Sequence, residues 1–290
     1  MADQSPTVRK LLLGSELRKL RFRAGITMED AAEHVSRTDS TLSRLETGKS
    51  LVPVKVLVKL LNLYGASDAE RDTLLAVATE ARKPGWWHTY TDVLAPDFDV
   101  YIGLESAANA LWIYEPEVIP GIMQTEGYMR ALAYAEPIQP PEHAIEGRVE
   151  VRLKRQERFT TGQQAPALWV ILNEAALHRE VGGRKTMCTQ LDHLLELSRL
   201  SNTTLQVLPF SAGAHPSIHT GGFMILSVGL DESTGYEIVY MEHRTGGLYI
   251  DKRAEVDGHK LVFDHLRAMA LDREKSRALI RRVLREMTRE

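Results

Sequence analysis

Apolar residues recur at helical spacing through the front of the chain, in short runs that stop at turn residues. Leu13, Leu17, Leu20 and Ala24 form an i, i+4, i+7 stripe closed by Gly25. The tract TMEDAAEHV starts at Thr27 with Asp30 three residues on, a capping-box-like opening. Its apolar positions Ala31, Ala32 and Val35 are mostly small, as suits helices that cross closely. A third run takes Thr38 as N-cap and ends at Gly48. PVKVLVKLLNLYG places Pro53 in a first helical turn and stops at Gly65. SDAERDTLLAVATEARK is capped by Ser67 and broken by Pro84-Gly85. The pattern predicts an all-α unit of five helices over residues 8–83.

Beyond residue 84 the periodicity changes. GWWHTYTDVLAPDFDVYIGLE mixes turn residues and aromatics without a clean period and reads as a packed linker. SAANALWIYEPEVIPGIMQT leads into a helix opening at Thr125, and PEHAIEGRVEVRLKRQERF is a long charged helix. ALWVIL is an apolar strand, and RKTMCTQLDHLLELSRL is a helix with Leu191, Leu194, Leu195 and Leu197 inward. TLQVLPF, GGFMILSV, YEIVYMEH and GGLYID read as strands, the last three adjacent and antiparallel. Helices over about 252–270 and 273–288 finish the chain. Residues 84–290 are therefore expected to form a mixed α/β domain, and the protein to be multidomain.

The third helical run is the least ordinary. Only Leu42 and Leu45 anchor it, while Asp39, Ser40, Thr41, Ser43, Arg44 and Thr47 are short or hydrogen-bonding. Two helices joined by a brief Ser-Arg turn, the second rich in Ser, Thr and Arg, fit a helix-turn-helix whose second helix enters the major groove. Short side chains let the backbone approach the bases, and a long arginine reaches guanine bidentately. A surface helix that is polar because it is wet fits the same periodicity.

Charge narrows the partners. A net charge of -3 excludes a uniformly basic coat, but residues 1–83 hold 14 Lys/Arg against 11 Asp/Glu. The remaining residues hold 22 against 28, so the basic excess sits in the front unit, where it permits a polyanion. The single cysteine, Cys188, forms no intrachain disulfide and implies a reducing compartment. No apolar run reaches the length of a membrane span or a signal peptide, so a cytoplasmic, nucleoid-associated protein without a membrane partner is expected.

From LGSELRKL to LLNLYG, with STLSRLETGK as its most specific tract, the chain resembles the Xre/Cro-type helix-turn-helix family, which has the lambda-repressor-like fold. The resemblance implies base-edge roles for Asp39, Ser40 and Arg44, and phosphate contacts for Arg37, Thr41 and Lys49. It also implies that Glu46 pairs with Arg21 as a buried structural bridge. Three positions depart from the family pattern. Met28 stands where glutamine is common, Ser36 where the turn often has glycine, and Asp39 can only accept at a base-reading site. The later tracts KPGWWHTY, VEVRLKRQERF, ALWVILNEAALHREVGG and IVYMEHRTGGLYID resemble the C-terminal domain of WhiJ-type, antitoxin-like actinobacterial regulators. That resemblance implies a sensory, dimerising or partner-binding role.

Other candidate chemistry is thin. His215, His219, His243 and Glu242 make a metal-like set, but Pro216 and neighbouring glycines argue against a helix that would align HPSIH, and no metal or cofactor is assigned. Arg148, Arg152, Arg155 and Arg158 form a ridge that would suit an anion, or else a solvated face offset by Glu146, Glu150 and Glu157. Trp86, Trp87, Trp112 and Trp169 would fill cores or wall an effector pocket. No G-x-S-x-G, Walker or Rossmann pattern occurs, so no enzyme is expected. The expected function is a sequence-specific DNA-binding transcriptional regulator acting on double-stranded DNA as a homodimer. Dimerisation would run through residues beyond 84, with control by a small molecule or a small protein partner. The alternatives are an antitoxin-like interaction protein whose main task is holding a partner, and a ligand-processing enzyme fused to the module.

Overall fold

Ser5, Thr27, Thr38 and Ser67 each accept a backbone N–H two or three residues ahead, and each opens a helix. These caps set the starts of α1 (Pro6–Arg23), α2 (Met28–His34), α3 (Asp39–Glu46) and α5 (Asp68–Glu80). Ser67 and Glu70 complete a reciprocal capping box. α4 (Val54–Leu63) has Pro53 at the N-cap, one position before the first turn expected for it. The computed structural model describes residues 5–95, 98–160, 165–228, 236–244 and 246–289. The chain divides into two compact units, Met1–His88 and Thr89–Glu290.

In the first unit one apolar cluster joins Leu13, Leu17 and Leu20 of α1 to Ala31 and Ala32 of α2, Leu42 and Leu45 of α3, Leu57 and Leu60 of α4, and Leu74 of α5. Ala24, expected to extend the α1 stripe, is exposed at the helix end. The five helices form the expected all-α helix-turn-helix module. Gly14 determines how closely α1 crosses α3: a Cβ there would stand 2.6 Å from the Leu45 carbonyl oxygen and 2.7 Å from that of Glu46.

The second unit is the expected mixed α/β domain, built on six strands. In chain order it runs α6 (Phe98–Glu105), β1 (Ala108–Glu115), α7 (Glu126–Tyr134), α8 (Glu142–Thr160), β2 (Ala167–Asn173) and α9 (Ala175–His178). It continues with α10 (Gly183–Leu197), β3 (Thr203–Leu208), β4 (Phe223–Val228), β5 (Tyr236–His243), β6 (Gly246–Ile250), α11 (Arg253–Met269) and α12 (Arg273–Arg289). The strand order is β3-β2-β1-β4-β5-β6. β3, β2 and β1 are parallel, and β1, β4, β5 and β6 pair antiparallel. One face carries Tyr114, Ile171, Phe223, Ile225 and Val239 against Val256, Phe263 and Leu266 of α11. The alternate residues face α6, where the Tyr101 ring lies 4.5 Å from that of Tyr240.

Two expectations change here. The segment read as a linker contains α6, and the stretch read only as a lead-in to α7 contains β1, which lies inside the sheet between β2 and β4. A strand buried on both faces carries no alternation to mark it. The arginine ridge of α8 is not a solvated face either. Arg155 is buried and bonds Glu105 through Nε at 2.6 Å and Nη2 at 2.7 Å. Arg158 donates to the carbonyl oxygens of Glu105 and Ala108. Trp112 and Trp169 sit side by side on β1 and β2 beneath α11, whereas Trp86 and Trp87 belong to the first unit.

Candidate nucleic-acid interface

The turn between α2 and α3 is fixed by backbone chemistry. Ser36 N–H donates to the Glu33 carbonyl at 2.9 Å and Arg37 N–H to that of Ala32 at 2.9 Å, the paired bonds of a Schellman ending. That ending requires a left-handed residue, and Ser36 takes the position with φ 54, the one positive-φ non-glycine among the described residues. The chain leaves α2 with Arg37 exposed and enters α3 at once. Thr38 caps α3 by accepting from Thr41 N–H at 3.2 Å, and the two threonine hydroxyls lie 2.9 Å apart.

α3 has two unlike sides. Leu42 and Leu45 are buried, 0% and 4% exposed, against α1 and α2. Asp39, Ser40, Ser43 and Arg44 are exposed, Thr41 and Thr47 are half-buried, and Lys49 is exposed just beyond the helix. Ser40, Ser43, Arg44 and Thr47 follow i, i+3, i+4, i+7 and so share one face. Ser43 was absent from the candidate contacts, although this spacing marks it as readily as Ser40. Asp39 stands in the first turn, where a carboxylate also favours the helix dipole. Arg44 Nε reaches Ser50 Oγ at 3.4 Å, a long contact that leaves its guanidinium at the surface. An α-helix with its side chains is about 10–12 Å across, a cross-section that the roughly 12 Å wide major groove admits.

Arg21 and Glu46 hold this surface from within. Arg21 Nε donates to Glu46 Oε1 at 2.8 Å and Nη2 to Oε2 at 2.9 Å, a bidentate pair with both side chains buried. The third arm, Nη1, donates to the Ile26 carbonyl at 3.1 Å, so one guanidinium ties together the end of α1, the turn before α2 and the last turn of α3. The hydrogen bonds to Glu46 outweigh the desolvation that opposes them and raise the Arg21 pKa above its ordinary value. Neither side chain is available to a base or phosphate.

Residues 12–74 match a family described as "Helix-turn-helix domain". Residues 98–282 match "Domain of unknown function (DUF5753)". The chain belongs to the DUF5753 family. None of the curated proteins matches it. A solved structure described as the crystal structure of the clp gene regulator ClgR from C. glutamicum is similar at 27% identity. It covers 27% of this chain and 96% of that one with a TM-score of 0.22, a likeness too loose to carry an argument.

The DUF5753 unit places the remaining candidates apart. Residues 215–219 form turns rather than a helix, and His215 Nε2 lies 3.4 Å from the Tyr114 hydroxyl. Among the described residues no group of three or more His, Cys, Asp or Glu is arranged to hold a metal ion. Cys188 is half-buried on α10. No helix among the described residues is long and apolar enough to cross a membrane.

Proposed function

We propose that this DUF5753 chain is a sequence-specific transcriptional regulator of Xre/Cro type. Its α3 enters the major groove of duplex DNA, with Asp39, Ser40 and Arg44 at base edges and Arg37, Thr41 and Lys49 at phosphates. The observation that carries the reading is the two-sidedness of α3: two leucines and a buried ion pair fix one side, while small polar groups and an arginine occupy the exposed one. A helix held this rigidly with its polar face outward is preorganised for a groove. The match to a helix-turn-helix family over the same residues supports it.

A single module of this size reads few base pairs. Two copies on half-sites about one helical turn apart, roughly 34 Å, gain both affinity and specificity. We therefore assign the WhiJ-like DUF5753 unit to homodimerisation and to control by a ligand or small protein partner, in a protein acting on nucleoid DNA in the cytoplasm. Control of this kind acts through differential affinity for two arrangements of the modules.

The test is genome-wide mapping of bound sites with the native protein and with Arg44→Ala. A shared two-fold symmetric motif, lost in the variant, is the expected result. Occupancy without any shared motif, or an unchanged motif in Arg44→Ala, would refute the reading. An antitoxin-like holder of a partner protein would keep its partner in that variant.

A further inference from the structure

A cavity of about 710 Å³ opens over one end of the DUF5753 sheet, walled by Val93, Phe98, Arg148, Arg152, Tyr240 and Glu242 among others. It lies inside the second unit, bounded by α8, the segment leading into α6, and the β5 and β6 strands. Its volume is in the range that holds a small organic molecule.

The α8 arginines explain what the cavity would take. Arg148 donates to the Val93 carbonyl at 3.0 Å and pairs with Glu136 at 3.3 Å. Arg155 is engaged through Nε and Nη2 by Glu105, and Arg158 through Nη1 and Nη2 by two carbonyls. Arg152 lies between them, lines the cavity, and has no hydrogen-bond or ion-pair partner among the described residues. Burial, then the neighbouring Arg155 charge, lowers its pKa to about 10, so it is a half-buried cation at neutral pH with no ion-pair partner among the described residues. A group in that state attracts an anion strongly. Glu242 on the opposite wall attracts it from beyond ion-pair distance. Counting Arg148, Arg152 and Arg244 against Glu136 and Glu242, the lining carries an excess of positive charge.

Apart from His243 the rest of the wall is apolar or aromatic, and one glycine shapes it. Gly247 pairs with Glu242 across β6 and β5. A Cβ at Gly247 would fall 2.2 Å from Cε2 of Tyr240, so the tyrosine ring occupies the space that any side chain there would need. The ring is held there by Tyr101 at 4.5 Å and Tyr249 at 5.1 Å, and Phe98 stacks on Tyr101 at 5.2 Å. The result is an aromatic ladder ending at the cavity, beside a charge without a partner.

We infer that this cavity binds a small organic anion, a carboxylate on an apolar body, with the carboxylate on the Arg152 guanidinium and the body against Val93, Phe98 and Tyr240. The inference rests on the regulatory reading of the second unit only for its consequence, which is that the ligand alters DNA affinity.

The test titrates the full chain with 8-anilinonaphthalene-1-sulfonate, an anion on an apolar body, and displaces it with benzoate, benzamide or inorganic phosphate. One saturable site is expected, displaced by benzoate far better than by the other two. Its affinity should fall about thirtyfold or more in Arg152→Gln and be partly kept in Arg152→Lys. Equal affinity in the native protein and Arg152→Gln, or equal displacement by benzamide or phosphate, would overturn the proposal. Thermal melting supplies a second readout, because removing a charge that has no partner should leave the melting temperature equal or higher. A clear fall in Arg152→Gln would reveal a structural partner and also overturn it. Benzoate binding that leaves DNA affinity unchanged keeps the site and refutes ligand control; the DNA affinity of Arg44→Ala bears only on α3.

Discussion

Replacing Glu46 by glutamine preserves the shape of the side chain and removes the charge that Arg21 faces. In the native unit the two groups make paired bonds of 2.8 and 2.9 Å with almost no exposure, 6% for Arg21 and 1% for Glu46. Breaking one half of such a pair leaves a guanidinium in the interior with one acceptor at position 46 where it had two, and no opposing charge. Losses of about 3–5 kcal/mol follow from that kind of uncompensated burial. Amide hydrogen exchange of the full chain reads the effect unit by unit. Amides of α1 to α5 should exchange roughly a hundred- to several-thousand-fold faster, while those of the sheet keep their protection. A double replacement, Arg21→Met with Glu46→Leu, removes both charges together and should restore most of the protection, less the lost bond to the Ile26 carbonyl. An increase below about tenfold in Glu46→Gln would refute the reasoning, because the pair would then not be what positions α3.

Ser36→Gly relieves left-handed strain of about 1–2 kcal/mol and adds about 0.4–1 kcal/mol of unfolded-state entropy, so chemical denaturation should find the first unit more stable by about 0 to 1.6 kcal/mol. A loss of stability would mean the serine side chain has a structural role. The Tyr64 hydroxyl is buried without a hydrogen-bond partner among the described residues, and Tyr64→Phe should be neutral or stabilising by about 1 kcal/mol in the same assay; a clear loss of stability would contradict that. In the second unit burial, then the Glu242 carboxylate, raises Glu115 from 4.5 to about 8. Its folded value lies above its unfolded one, so the protonated form favours folding. That contribution is complete below about pH 4.5 and is lost as pH rises through about 8. Melting of the second unit should weaken over that window, and Glu115→Gln should flatten the slope; identical slopes would exclude Glu115 as the cause.

The front unit was legible because each helix carries its own boundary chemistry: Thr27, Thr38 and Ser67 at the starts, Gly25, Gly48 and Gly65 with positive φ after the ends. The exposed side of α3 was legible too, since two leucines three apart leave only one side to bury. In the second unit β4, β5 and β6 were found from their turns and apolar runs. β1 was not, because its neighbours on both sides come from distant sequence. Of the two readings of the α8 ridge, the solvated face fails for a related reason. The Glu105 that neutralises Arg155 lies 50 residues upstream on α6, a helix hidden in a stretch of turn residues and aromatics without a clean period. The cavity beside Arg152 depends on the register that brings Tyr240 and Gly247 together, which no local pattern encodes.

The measurement closest to the central claim is the affinity of the native protein and Arg44→Ala for a recovered site and every single-base-pair variant of it. Arg44→Ala should lose discrimination of about 1–3 kcal/mol at one base pair per half-site and keep the other preferences. Equal preference at every position in the two proteins, or a uniform weakening without any change in preference, would contradict it.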